Sequence, residues 1–119
     1  MMKPFTAIFL ILTLSSLTLA LALPGEYLAT PSENHQKQCA RCHGAEGQGD
    51  GPGAVLLTVK PANWTDPDRM GAISDEDLFK VIKYGGDSVD KSKLMPAFGI
   101  KLNDEEISEL VQYIRALSQ

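Results

Sequence analysis

The chain is poor in the residues that most metal, disulfide and nucleic-acid functions require. Two cysteines in 119 residues exclude a disulfide-stapled scaffold and a four-cysteine zinc site. Two histidines leave little for a histidine-rich metal centre. Lys and Arg number 11 against 15 Asp and Glu, a formal net charge of −4. That balance lacks the cationic excess a phosphate backbone demands, so nucleic acid is excluded as a partner. Aromatics are 7% of the chain, with a single tryptophan. No alternating run long enough for a strand, no internal repeat and no low-complexity segment is present. What remains, 44% hydrophobic and 22% charged, is an ordinary globular mixture of one domain's length.

The N-terminus is organised differently from the rest. Lys3 is the only charge before Glu26, and the stretch between them begins Phe5-Thr6-Ala7-Ile8-Phe9-Leu10-Ile11-Leu12. A short positive start, an apolar run and then Ala20-Leu21-Ala22 form the pattern of a secretory signal peptide over residues 1–22, cleaved after Ala22. An uncleaved membrane anchor is the alternative, since the uncharged run is long enough to span a bilayer. Either way the remaining domain, 23–119, is expected outside the cytoplasm, in the periplasm. Membrane contact follows only if the segment is retained. No cysteine lies near the cleavage site, which excludes a lipid-modified N-terminus. The mature chain of 97 residues loses Lys3 and carries a net charge of −5.

Three helices are predicted beyond that point, an all-α fold joined by Gly-rich loops. Thr30-Pro31-Ser32-Glu33 reads as a capping box with proline in the first turn, opening a helix to about Ala40. Gly44, Gly47, Gly49, Gly51 and Gly53 then rule out a helix and call for positive φ. Ser74 caps a second helix, with Asp75, Glu76 and Asp77 in its first turn, and Gly85-Gly86 stops it. Asn103-Asp104-Glu105-Glu106 opens a third, whose apolar stripe is Ile107, Leu110, Val111, Ile114 and Leu117.

Both cysteines and one histidine fall within Cys39-Ala40-Arg41-Cys42-His43, the C-x-x-C-H pattern of c-type haem attachment. Two thiols three residues apart can each add to one haem vinyl group. His43 then lies under the iron, and a neutral imidazole is a standard iron ligand. A thioredoxin-like redox pair expects a βαβ context that is missing here. A Cys39–Cys42 disulfide would close a trivial loop. Zinc would need a fourth ligand, for which His35 is the only obvious candidate. One covalent haem c is the strongest reading. It would also supply apolar bulk to a domain whose large aromatics are few: Tyr27, Trp64, Phe79, Tyr84, Phe98 and Tyr113. The residues leave Met95, Met70 and His35 open as the sixth ligand. Met95 lies between two helices and is stiffened by Pro96.

The haem motif with Gly44 to Gly51, the run Leu94-Met95-Pro96-Ala97-Phe98, and the ending Leu110 to Leu117 resemble the small monohaem class I c-type cytochromes of bacterial respiratory chains. The likeness covers residues 30–117. It implies the cytochrome c fold around one haem, with Met95 as distal ligand opposite His43. It implies a proline carbonyl as partner to the second nitrogen of His43. Pro61, in Lys60-Pro61-Ala62-Asn63-Trp64, is the better match, with Pro52 the runner-up. Trp64, Leu56, Leu57 and Ile73 would line the pocket. Two positions depart from the family: an aromatic is usual where His35 stands, and a glycine where Pro31 stands. Tyr113, the family's partner on the last helix, is present, so His35 is expected against Tyr113 as a structural residue.

The resemblance implies a single-electron carrier, not an enzyme, because His/Met ligation fills both axial positions. The expected partners are an electron donor and an electron acceptor, among them a membrane oxidoreductase or oxidase. The acidic chain suggests a partner with a basic docking patch and salt-sensitive association. A haem that binds a diatomic ligand or peroxide is the enzymatic or sensory alternative, and a subunit of a larger oxidoreductase is a third. Burial against haem would contribute on the order of 10 kcal/mol for several hundred Å² of apolar surface. The chain expressed without haem should therefore give a largely unfolded far-ultraviolet circular dichroism spectrum, without a cooperative thermal transition.

Overall fold

A computed structural model describes residues 30–119; the proposed leader 1–22, its cleavage after Ala22, and Tyr27 lie outside the described residues. Among the described residues there is no strand, and no helix is long and apolar enough to cross a membrane. The described residues form helices and loops alone, the all-α architecture expected from the helix signals.

The first helical rod is longer than its sequence pattern suggests. Helix α1 (Pro31–Asn34), a π-helical turn (His35–Cys39) and helix α2 (Ala40–His43) run head to tail, so the rod ends at His43 and not near Ala40. The capping box forms: Thr30 Oγ1 accepts from the Glu33 amide at 3.3 Å, and Glu33 Oε2 accepts from the Thr30 amide at 2.9 Å. The Ala40 amide donates to the His35 carbonyl, the wide i→i+5 step of a π turn. His35 and Cys39, at its two ends, are both buried. Propensity is blind to it, because only tertiary packing rewards the change. Gly44, at φ +84°, ends the rod where a side chain would be strained.

A loop containing a 3₁₀ turn (Pro52–Leu56) leads to helix α3 (Pro67–Gly71), which one turn of sequence could not signal. Asp66 caps α3 by accepting from the Asp68 and Arg69 amides, both at 3.1 Å. Helix α4 (Asp75–Tyr84) starts at Ser74 and stops at Gly85, as expected. A second 3₁₀ turn (Gly86–Val89) and a long loop lead to helix α5 (Asp104–Ala116), whose Asn103–Glu106 box also forms.

The core gathers on α5. Ile107, Leu110, Val111 and Ile114 are buried against Leu78 and Ile82 of α4, Met70 of α3, Trp64, Phe98, Leu102 and Cys39. Arg115 bolts α5 to the α3–α4 junction. Its Nη1 donates to the Met70 carbonyl at 2.6 Å, its Nη2 to the Ile73 carbonyl, and its Nε meets Asp75 Oδ1 at 2.6 Å. The two carbonyls are part-buried, whereas the Asp75 side chain is 61% exposed. The carbonyl bonds therefore carry the stability and the ion pair little. Arg115→Ala should cost about 2 kcal/mol, and Asp75→Asn less than about 1 kcal/mol, in chemical denaturation of the haem-loaded protein.

Candidate functional site

The motif Cys39 to His43 is presented by the end of the first rod, and the glycine loop holds that end in place. Helix C-termini leave carbonyls without partners. Here the Gly51 amide donates to Cys42 O at 3.2 Å, the Gly49 amide to His43 O at 2.7 Å, and the Gly47 amide to Gly44 O at 3.1 Å. The approach is close enough that a Cβ on Gly51 would sit 2.4 Å from Arg41 O. Gly51 and Gly53, whose Cβ would meet Arg41, are thus required by contact with the motif helix.

Cys39 and Cys42 are free thiols, so the disulfide reading does not hold in this structure. Cys39 is buried, and burial, followed by the neighbouring Cys42, pushes its thiol up to about 11. A redox-active C-x-x-C pair needs the opposite, a depressed thiol. His43 is held neutral at pH 7: burial lowers it to about 4, against an opposing pull from the Ala62 backbone. Its Nδ1 is buried and makes no hydrogen bond. The Pro61 carbonyl packs over Gly49, where a Cβ would stand 2.6 Å from it. Trp64, 4% exposed, stacks on the His43 ring with centroids 4.1 Å apart and planes 18° from parallel.

Met95 lies half-buried against the core, on a loop fastened to the end of α4. The Gly86 amide donates to Met95 O at 3.0 Å, the Phe98 amide to Ile82 O at 2.9 Å, and the Gly99 amide to Lys83 O at 3.0 Å. A Cβ on Gly85 would meet Met95 O at 3.0 Å, and one on Gly86 would meet Ser92 O at 2.1 Å. The Gly85-Gly86 pair therefore seats the Met95 loop as well as stopping α4, a role the sequence signalled only by the doubled glycine. The other two sixth-ligand candidates are committed elsewhere. Met70 is sealed in the core at 1% exposure. His35, fully buried, uses Nε2 on Gly44 O at 3.0 Å and Nδ1 on the Tyr113 hydroxyl at 3.3 Å. The expected His35–Tyr113 contact thus forms, and zinc has no fourth ligand in His35. Among the pocket residues expected with Trp64, Ile73 and Leu57 are half-buried, whereas Leu56 is 82% exposed.

Free adjacent thiols, a neutral half-buried imidazole and exposed large aliphatics such as Leu56, Val59 and Leu94 suit attachment of an apolar macrocycle with a metal at its centre. With a strand-free helical fold, they define a c-type cytochrome. Residues 27–114 match the family model described as cytochrome c oxidase, cbb3-type, subunit III, and the chain belongs to that family. It also resembles solved structures. The KustC0563 c-type cytochrome is 24% identical, with a TM-score of 0.62 over 76% of this chain and 100% of that one, a likeness of fold. A Kustc0563 mutant is 25% identical, with a TM-score of 0.60 over 75% and 99% of the two chains. The Kuenenia stuttgartiensis reducing HAO-like protein complex Kustc0457/Kustc0458 gives 28% identity and a TM-score of 0.59 over 79% of this chain, but over only 44% of that chain. No curated protein matches in sequence. Membership of this family implies covalent haem c and electron transfer.

Burial also lowers His35 below its ordinary 6.5, against smaller opposing pulls from the Gly44 bond and Glu46. The unfolded chain then binds a proton at His35 before the folded chain does. The stability held by the neutral ring is complete above pH 6.5 and is lost as pH falls from there through the lowered folded value. Denaturation midpoints of the haem-loaded protein should therefore fall between about pH 7.5 and about pH 5.5, and fall less in His35→Phe.

Proposed function

We propose that this protein is a single-electron carrier holding one haem c through Cys39 and Cys42, with His43 and Met95 as axial ligands. The neutral, half-buried His43, with the free thiols of Cys42 and Cys39 just before it on the same rod, is the observation that carries this reading. When bound, haem c supplies a one-electron iron couple.

The chain's own residues would set that couple. His43 offers a neutral nitrogen, and Trp64 stacks on its ring and limits its rotation. Met95 offers a thioether from a loop that three backbone hydrogen bonds clip to α4 and the glycines after it. A thioether favours ferrous iron relative to a second imidazole, which raises the potential. With both axial positions filled, no site is left for a substrate, so the protein carries electrons without turnover of its own. The leader at residues 1–22 supports a periplasmic location. The donor and acceptor are redox proteins, a membrane oxidoreductase or oxidase among them, and the net negative chain favours a basic docking patch on the partner. The likeness to a component of a reducing HAO-like protein complex favours one further arrangement, in which the domain resides in a larger oxidoreductase.

Visible and near-infrared spectra test the assignment. The purified protein should show covalent haem c in alkaline pyridine, a thioether-to-iron band in the oxidised form, and no carbon monoxide binding in the reduced form. Met95→Ala should keep the haem, lose that band, lower the midpoint potential and bind carbon monoxide. Ready carbon monoxide binding by the native protein would overturn the His/Met assignment.

A further inference from the structure

We infer that His35 is a positioning residue for His43, holding the motif histidine through two separate contacts. This rests on the reading of His43 as an iron ligand. His35 stands where the family usually carries an aromatic, and that difference supplies two ring nitrogens to a fully buried site.

Both nitrogens are engaged. A carbonyl can only accept, so Nε2 carries the proton and donates to Gly44 O at 3.0 Å. Nδ1 is then the acceptor, taking the Tyr113 hydroxyl at 3.3 Å and the Gln36 amide at 3.4 Å. Gly44 follows His43 directly and turns the chain at φ +84°. Its carbonyl has one other donor, the Gly47 amide at 3.1 Å. The first contact therefore fixes the backbone on which His43 sits.

The second contact runs through the indole. The His35 and Trp64 rings lie 5.5 Å apart at 55°, within the range of favourable aromatic pairs, and Trp64 stacks on His43 at 4.1 Å. Tyr113 completes the cluster at 5.4 Å from His35, which ties the arrangement to α5. A phenylalanine at position 35 would keep the ring packing and drop the grip on Gly44. A glutamine would restore a donor for that carbonyl.

The test compares His35→Phe, His35→Gln and Tyr113→Phe in the haem-loaded protein. It reads the midpoint potential and the paramagnetically shifted haem-methyl resonances, which report the orientation of the axial imidazole. His35→Phe should retain one covalent haem and the thioether-to-iron band while shifting both readouts. His35→Gln should lie closer to wild type, and Tyr113→Phe should give a smaller shift in the same direction as His35→Phe. Wild-type values in His35→Phe, or equal shifts in the phenylalanine and glutamine variants, would overturn the inference. If His35→Phe does not fold, Tyr113→Phe decides, and unchanged resonances there overturn it. A wild-type protein without covalent haem or without the band would instead defeat the parent reading, before any variant is compared.

Discussion

The structure depends on the capping of one helix end by backbone amides. Carbonyls of Cys42 and His43 would point unpaired from the end of the motif rod, and Gly51 and Gly49 donate to them, while Gly47 joins His35 on Gly44 O. Side chains on the loop would prevent the approach, most severely at Gly51, which lies against the carbonyls of Ala40 and Arg41. Capping and attachment are therefore one arrangement: the loop that satisfies the helix end also surrounds the thiols and the imidazole. The Trp64 amide donates to Gly47 O at 2.7 Å, so the indole that stacks on His43 is anchored to the same loop.

A second clasp secures the opposite half of the domain. Gly85 and Gly86 let the Met95 loop lie directly on the end of α4, and Phe98 and Gly99 return to it through their amides. Arg115 then locks the α3–α4 junction onto α5. The motif rod and the Met95 loop thus hang from one core built on α5. Such a scaffold suits a site required to reorganise little on gaining or losing an electron.

The burial of His35 shows how a polar residue is accommodated within so small a core. Its two nitrogens find Gly44 O and the Tyr113 hydroxyl, so no ring donor or acceptor is left unpaired. The aromatic expected at that position would pack equally well without those bonds. The substitution thus exchanges pure packing for a hydrogen-bonded link between the motif and α5.

Much of this was legible in the residues because it is local chemistry. The Thr30–Glu33 and Asn103–Glu106 boxes, the Ser74 cap and the α5 stripe each act within a few residues, and each formed. Other features needed the folded chain, because their causes lie far apart in sequence. The π turn has no propensity signature and is stabilised by what it buries. Helix α3 is a single turn held by Asp66 and Arg115. The close seat of the Pro61 carbonyl over Gly49 is likewise a contact no spacing rule encodes. Short-range hydrogen bonding thus named the elements and residue spacing named the C-x-x-C-H motif, while long-range packing settled which groups meet His43 and where Met95 is held.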